Sequence, residues 1–450
     1  MTEASTKPFT HDPATQRRAA RAGFVGSVIE YYDFLVYAFL ATTIGPLFFP
    51  SANPTTSLLA ILAAYGAGYL ARPLGAVFFG WFGDRRGRKD ALMLTVVGMG
   101  AATCLLGLIP TYAQAGVLGP ILLVFARCVQ GFSAGGELMG ASTYVAESSQ
   151  VSRRGFFISL SPMGGGAGAA LAPVVVGVVS LLLPAEQMAA WGWRIPFLIS
   201  LPLIVLALVM RARLEDTPEF QTMADRGRIV RFPLGKVLRE HRSAVLRTTV
   251  LSITVNASAF LVTSYLNIYL IAEVGLPKST VYWLSALVLL CALPGYLVGG
   301  WATDRFGTRR VAIACYASCL VLAYPVMAVM GAGGGFVVTA LAYLVFAFVN
   351  NVSQAPTFAT IVHAFPGRVR YTGTSVGFNV GGILIGGFGP YFAGLLTAGT
   401  GNPLSPAFIV IGAGILGIVV MATFSGAIGV EAARAAQVAA PPAQLEESAS

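Results

Sequence analysis

Five ionisable side chains stand inside otherwise apolar stretches of this 450-residue chain: Glu30, Asp33, Arg72, Arg127 and Glu137. A charge in hydrocarbon is costly, and it persists where it pairs with another charge or faces a polar path. Each is therefore a candidate for carrying a proton or holding a charged solute. Glu30, Asp33 and Tyr37 fall at i, i+3 and i+7, one face of a helix. A buried carboxyl group beside an arginine can trade a proton against an anion. Asp33, with Glu30, is the expected proton-coupling group; the alternative is an ion pair locking the first span to Arg127 or Arg72. Arg127 stands about ten residues from the outer end of its span, roughly 15 Å deep at 1.5 Å per residue. A guanidinium there can grip a carboxylate bidentately. Gln130, Ala134 and Glu137 continue its face, so Tyr37, Arg127, Gln130 and Glu137 are expected at a substrate site. For Arg127 a purely structural ion pair is the other reading. Arg72-Pro73 lies nearer the inner side and reads as structural or gating.

All five charges fall in the first half of the chain. The second half offers uncharged stripes instead: Asn256, Thr263 and Asn267 on one face, and Tyr343, Asn350 and Gln354 on another. These can bind hydroxyls, carbonyls or a second carboxyl, or simply tie helices together. The five cysteines all lie in apolar stretches, and the three histidines lie in polar segments or at a span end. Neither a disulfide framework nor a histidine metal site is expected, and no cofactor is called for.

The elements that must position these residues are membrane helices. Only 11% of the chain is charged and 56% is hydrophobic, with 52 glycines. A soluble chain of that composition lacks the polar surface to cover itself. Twelve apolar spans run at roughly 24–48, 57–82, 91–110, 117–143, 156–183, 193–210, 246–272, 279–302, 311–330, 336–362, 374–397 and 405–427, each near or above the ~20 residues a bilayer requires. With the N-terminus inside, 25 of the 29 Lys and Arg gather on one side and the outer loops hold only Lys278. That asymmetry places both termini in the cytoplasm and assigns the net charge of +10 to membrane orientation, with no nucleic-acid partner implied. The fold expected is an all-α polytopic membrane protein. It comprises a cytoplasmic N-terminal tail (1–23), a six-helix bundle (24–210), a basic linker (211–245), a second six-helix bundle (246–427) and a disordered cytoplasmic tail (428–450). The linker is expected to carry amphipathic helical stretches along the membrane surface, or to be a solvated loop.

The halves repeat. Gly80-Trp81-Phe82-Gly83-Asp84-Arg85-Arg86-Gly87 is echoed 220 residues later by Gly300-Trp301-Ala302-Thr303-Asp304-Arg305-Phe306-Gly307. A second echo links Arg154-Gly155 with Arg370-Tyr371-Thr372-Gly373. Two such halves point to a secondary transporter whose site lies between them near mid-membrane.

The stretch from Gly80 to Lys89 resembles the signature loop of the major facilitator superfamily. Ile29-Glu30-Tyr31-Tyr32-Asp33-Phe34, Arg72-Pro73-Leu74-Gly75-Ala76 and the run Arg127-Cys128-Val129-Gln130-Gly131-Phe132-Ser133-Ala134-Gly135-Gly136-Glu137 are similar to its metabolite:proton symporter branch. Trp193-Arg194-Ile195-Pro196-Phe197 and Glu215-Asp216-Thr217-Pro218-Glu219-Phe220 fit the same pattern. That branch includes shikimate, α-ketoglutarate, citrate and proline/betaine transporters. The resemblance implies two pseudo-symmetric bundles that rock about a central site, with uptake driven by protons. It further implies a cytoplasmic latch of Asp84, Arg85 and Arg88 with Glu147 and Arg154. The second copy, Asp304 and Arg305 with Arg309-Arg310, departs from the pattern at Thr308.

The expected function is proton symport of a small organic acid by a monomer in the inner membrane, without an enzymatic activity. The alternative is symport of a zwitterion such as proline or glycine betaine, with Tyr31, Tyr32, Tyr37 and Tyr269 as an aromatic cage. A drug/proton antiporter fits less well, because the fifth span reads Leu171-Ala172-Pro173-Val174 where those relatives carry Gly-Pro-x-x-Gly-Gly.

Overall fold

The structure, a computed structural model, describes residues 13–423 apart from 53, 151–152, 213–215, 217–219 and 221–232. Six helical passes precede the linker. They are α1 (Pro13–Phe48), α2 (Pro54–Arg86), α3 (Arg88–Leu108), α4 (Leu118–Glu147), α5 (Arg154–Leu182) and α6 (Arg194–Leu198, continued by Ser200–Ala212). Six follow it. α7 runs as Arg242–Phe260 and Leu266–Ala272 about a π turn, Leu261–Tyr265, and α8 as Lys278–Ala292 and Pro294–Phe306. α9 (Thr308–Gly331) and α10 (Gly335–His363) are continuous. α11 runs as Arg370–Gly382 and Gly389–Thr400 about a second π turn, Ile383–Gly387, and α12 is Ala407–Thr423.

Nine of the described helices are long and apolar enough to cross a membrane. Of the other three passes, α2 carries Arg72 mid-length, α11 is interrupted by its π turn, and α12 has 17 residues. Large apolar side chains such as Leu108, Leu181 and Val321 are exposed, as a surface facing hydrocarbon requires. The fold is thus the expected pair of six-helix bundles.

The ends differ from the sequence expectation in detail. The first helix begins at Pro13, inside the stretch expected as a tail, and Ala19, Ala20 and Ala22 are buried. Most of the 211–245 linker lies outside the described residues, as do residues 1–12 of the N-terminal tail and the whole tail from 428. One linker helix, Pro233–Glu240, is described, and its Val237 packs on Phe365 and Val369.

The repeat is visible in the backbone. Gly87 (φ 125°) turns the chain between α2 and α3, and Gly307 (φ 88°) does the same between α8 and α9. Side chains rarely adopt such angles, so both sharp turns call for glycine. Asp84 and Asp304, beside these turns, meet the starts of α11 and α5, which carry Arg370 and Arg154, so these ends form one basic face. The π turns of α7 and α11 are likewise paired, and i→i+5 bonding there leaves backbone irregular and re-aims side chains.

Candidate functional site

Among the described residues, a larger and a smaller cavity lie between the halves. The larger, about 140 Å³, is walled by α1, α2, α7 and α11, and both π turns reach it through Thr263, Ser264 and Gly386. The smaller, about 50 Å³, adds α5, α8 and α10 and shares Tyr31, Ala259 and Thr263 with the first.

Arg72 is the single charged residue among those lining the larger cavity. Its guanidinium stacks on Phe34 and Tyr69, at 4.2 and 4.7 Å from the ring centroids, and lies 3.4 Å from the Glu30 carboxylate. Neither Glu30 oxygen accepts a hydrogen bond, although both are buried. The pair is held by charge alone, so an incoming carboxylate with better geometry can compete for the guanidinium. Backbone packing brings Arg72 there. A Cβ at Gly135 of α4 would lie 2.0 Å from the Arg72 carbonyl oxygen, so α2 approaches α4 as closely as only glycine permits.

Asp33 lies in the interior of the first bundle, fully buried. Ser200 donates to one carboxylate oxygen at 2.5 Å and Thr103 to the other at 2.7 Å. Gln130 donates to Thr103 at 2.9 Å, and Arg127 donates to Gln130. A hydrogen-bonded chain thus joins Asp33 to Arg127 across α1, α3 and α4, in place of the direct ion pair weighed from the sequence. Arg127 is surrounded by the Phe34, Tyr37 and Tyr65 rings at 4.8, 4.2 and 4.8 Å. It is fully buried, and its Nε and Nη2 have no hydrogen-bond partner.

On the basic face the halves are tied by carboxylates. Asp84 accepts hydrogen bonds from Arg88 (2.6 Å) and from the backbone N–H groups of Tyr371 (3.2 Å) and Thr372 (2.9 Å) at the start of α11. Glu147 faces Arg88 at 3.4 Å and Arg370 at 3.2 Å. Asp304 takes the Gly155 and Phe156 N–H groups at 2.7 and 2.9 Å at the start of α5. A negative charge at a helix N-terminus is favourable on hydrogen-bonding and dipole grounds together. Arg154 reaches His363, at 3.2 Å from Nε2. His363 Nδ1 lies 2.6 Å from the Ala359 carbonyl oxygen, which assigns the ring proton to Nδ1 and leaves Nε2 as the acceptor.

The first 231 residues contain a match to the "Sugar (and other) transporter" family model, over residues 20–231. The shikimate transporter of Escherichia coli is 35% identical over 407 residues, covering 88% of this chain and 92% of the relative. The chain belongs to the major facilitator superfamily. Its kinship is with the branch of metabolite symporters that the motifs indicated. The proline/betaine transporter of Salmonella typhimurium is 33% identical over 424 residues, covering 91% of this chain and 83% of the relative. The solved structure of the proton:xylose symporter XylE, with bound 6-bromo-6-deoxy-D-glucose, superposes with a TM-score of 0.76 at 14% identity. It covers 91% of this chain and 95% of the symporter, and shows a shared fold.

Against this transporter's geometry the sequence expectations divide. Asn256 and Thr263 line the larger cavity, and Asn350 and Gln354 the smaller. Glu137 does not. Arg211 donates to both of its oxygens and Thr95 to one, at 2.5 Å, deep within the first bundle. The i+10 spacing from Arg127 sets Glu137 almost three turns further toward the basic face. Tyr37 donates to the Ile61 carbonyl and stacks on Arg127, behind the cavity wall. Tyr343 donates to the Val262 carbonyl, and Asn267 accepts from Ser285, so both serve as interhelical ties. Arg85 and Arg305 lie outside the latch, each stacked on the tryptophan one turn earlier, Trp81 and Trp301, at 5.5 and 5.7 Å. Of the four tyrosines expected as a cage only Tyr31 meets a cavity; Tyr32 and Tyr269 donate to the Pro196 and Met327 carbonyls.

Sequence reasoning missed the aromatic wall of Phe34, Tyr65, Tyr69, Phe260 and Phe378. It missed Asn379, which lines the cavity while donating to the Gly135 carbonyl across the halves at 2.8 Å. It placed Arg72 in a structural or gating role and did not put it on the cavity wall, where it stands. The spacing Tyr65, Tyr69, Arg72 is one helical face and was the available signal.

Proposed function

We propose that this transporter is a proton symporter that imports a small organic acid, a mono- or dicarboxylate or hydroxy acid, by alternating access. One observation carries the reading: the sole charge on the cavity wall is a guanidinium, Arg72, whose carboxylate partner Glu30 makes no hydrogen bond. The basic face is cytoplasmic, with both termini on that side, because it gathers the positive charge. The latch across it then describes a protein closed toward the cytoplasm and ready to load from outside. A substrate carboxylate takes Arg72 from Glu30. Glu30, left as a buried charge without its partner, is neutralised by a proton. Substrate and proton therefore cross together, and the Glu30–Arg72 pair reforms for the empty return. Asp33, tied to Arg127 through Thr103 and Gln130, is the second acid in this scheme. Asn256, Thr263 and Asn379, with Asn350 and Gln354, offer neutral contacts to the rest of the solute. The transporter works as a monomer in the inner membrane.

A zwitterion such as proline or glycine betaine is the second reading. The aromatic wall favours it, since ring faces accommodate quaternary ammonium groups. Two of the relatives described are named for shikimate and for proline/betaine, one for each reading. Uptake into proteoliposomes tests both, with carboxylates, hydroxy acids and betaines offered under imposed pH and voltage gradients. Accumulation that follows the inward proton gradient supports symport; accumulation that ignores both gradients overturns it. Competition by betaine but not by dicarboxylates selects the second reading.

A further inference from the structure

We infer that Phe34 limits the site to solutes with one carboxylate, by walling Arg127 off from the cavity. The inference rests on Arg72 taking a carboxylate, a premise common to both readings above.

Arg72 and Arg127 share a single ring. Their guanidinium carbons lie 4.2 and 4.8 Å from the Phe34 centroid. Arg72 is on the cavity wall, with its side chain 15% exposed. Arg127 is fully buried, and Phe34 and Tyr65 occupy the wall in front of it. Its remaining contacts are the Tyr37 and Tyr65 rings and the Gln130 side chain. Among the ion pairs of the described residues none includes Arg127, and two of its donor nitrogens lack a partner. Ring faces offset part of the cost of burying a cation, but they accept no directed hydrogen bond. Arg127 is thus a guanidinium with unpaired donors held behind an aromatic wall, and Phe34 is the ring of that wall it shares with Arg72.

Phe34 also holds its place through neighbours. It meets Tyr65 and Tyr69 edge-on, at centroid distances of 6.3 and 5.6 Å. With the ring present, a solute finds one guanidinium. With the ring removed, two guanidiniums border one space, at a separation that a short dicarboxylate can bridge. The residue therefore decides carboxylate number, while Arg72 decides that there is a carboxylate at all.

The test uses the full chain reconstituted in lipid nanodiscs. Binding of shikimate and glycine betaine is compared with that of succinate and malate, and phenylglyoxal modification of Arg127 is followed by peptide mass spectrometry. In the unaltered protein a monocarboxylate binds at least about tenfold more tightly than either dicarboxylate, and Arg127 is protected. In Phe34→Ala the dicarboxylates gain about tenfold or more, Arg127 becomes reactive, and adding Arg127→Gln removes the gain. Phe34→Val replaces Phe34→Ala if the smaller side chain prevents folding. Equal binding of succinate to the unaltered protein overturns the inference. So does a dicarboxylate gain that survives Arg127→Gln, or no gain when Arg127 has become reactive. Failure of every carboxylate to bind any form, with Arg127 nonetheless unmasked by the substitution, overturns the carboxylate reading of Arg72 instead.

Discussion

Asp84 and Asp304, 220 residues apart, each accept backbone N–H groups at the start of a helix from the opposite half of the molecule. The two contacts are equivalent in geometry and unequal in setting. Asp84 is 3% exposed and paired with Arg88, whereas Asp304 is solvent-exposed and is followed four residues later by Thr308. Removing a buried, charge-assisted acceptor costs roughly 1–3 kcal/mol, and an exposed one about 1 kcal/mol or less. Asp84→Asn is therefore expected to open the basic face more than Asp304→Asn does. Spin-label distances between α5 and α8, and between α2 and α11, measure this. Equal shifts in the two variants would contradict it.

Arg72→Lys is expected to raise the apparent Kd for the carboxylate solute by about tenfold or more. A lysine keeps the charge but loses the planar fork and the stacking on Phe34 and Tyr69. Equilibrium binding at constant pH checks the effect. Undiminished affinity would move the anchor elsewhere.

Glu30→Gln and Asp33→Asn are expected to fail differently. With Glu30 neutral, Arg72 has no internal competitor, so binding tightens and loses its pH dependence while proton-driven accumulation disappears. Asp33→Asn is expected to abolish accumulation with binding changed by less than about threefold. Paired binding and uptake assays across pH 5–8 separate them. Accumulation retained in both variants would remove these acids from the coupling scheme.

Glu137→Gln is expected to act on stability. Arg211 is 1% exposed and donates to Glu137 and to the Leu92 carbonyl, so losing the carboxylate strands a buried cation. Breaking such a pair costs about 3–5 kcal/mol. Thermal unfolding in detergent should show a clear loss, with KM unchanged in the folded fraction. A raised KM at unaltered stability would return Glu137 to the substrate site.

His363→Glu is expected to tighten the second latch. Glu147 and His363 end equivalent helices, α4 and α10, and the glutamate meets Arg370 where the histidine meets Arg154. A carboxylate facing Arg154 replaces a neutral acceptor with a charge-assisted one. Slower turnover and a population shifted toward closure of the basic face are the expected results, read by uptake rates and by the same spin-label distances.

The positions of most contacts on the basic face were legible because they recur as local motifs, although their role as a latch came from the resemblance. The Asp84 and Asp304 echoes, the turn glycines and the Arg154 and Arg370 positions are short motifs at fixed offsets, and each sits where the repeat places it. The cavity was less legible. A helix period tells which residues share a face, but it does not tell what that face meets. Arg127 and Arg72 illustrate the difference. Depth along the helix made Arg127 look central, yet the close approach of α2 to α4 at Gly135 turns Arg72 toward the cavity and sets aromatic rings before Arg127. Arg211 shows the same limit from the other side. Hydropathy assigned it to the linker, and the structure returns it to the bundle as the partner of Glu137.

The sequence by itself determined that this is a membrane protein of twelve passes in two related halves, with its charge gathered at one face. Those properties follow from composition, period and repeat, which act within single helices or between copies of one motif. Tertiary structure decided which of the five charges within the spans meets the cavity, which hold helices together, and which stands behind an aromatic wall. That choice depends on helix rotation and on distances of a few ångströms between segments far apart in the chain. Packing of small residues and rings fixes those distances, and no property of an isolated helix does.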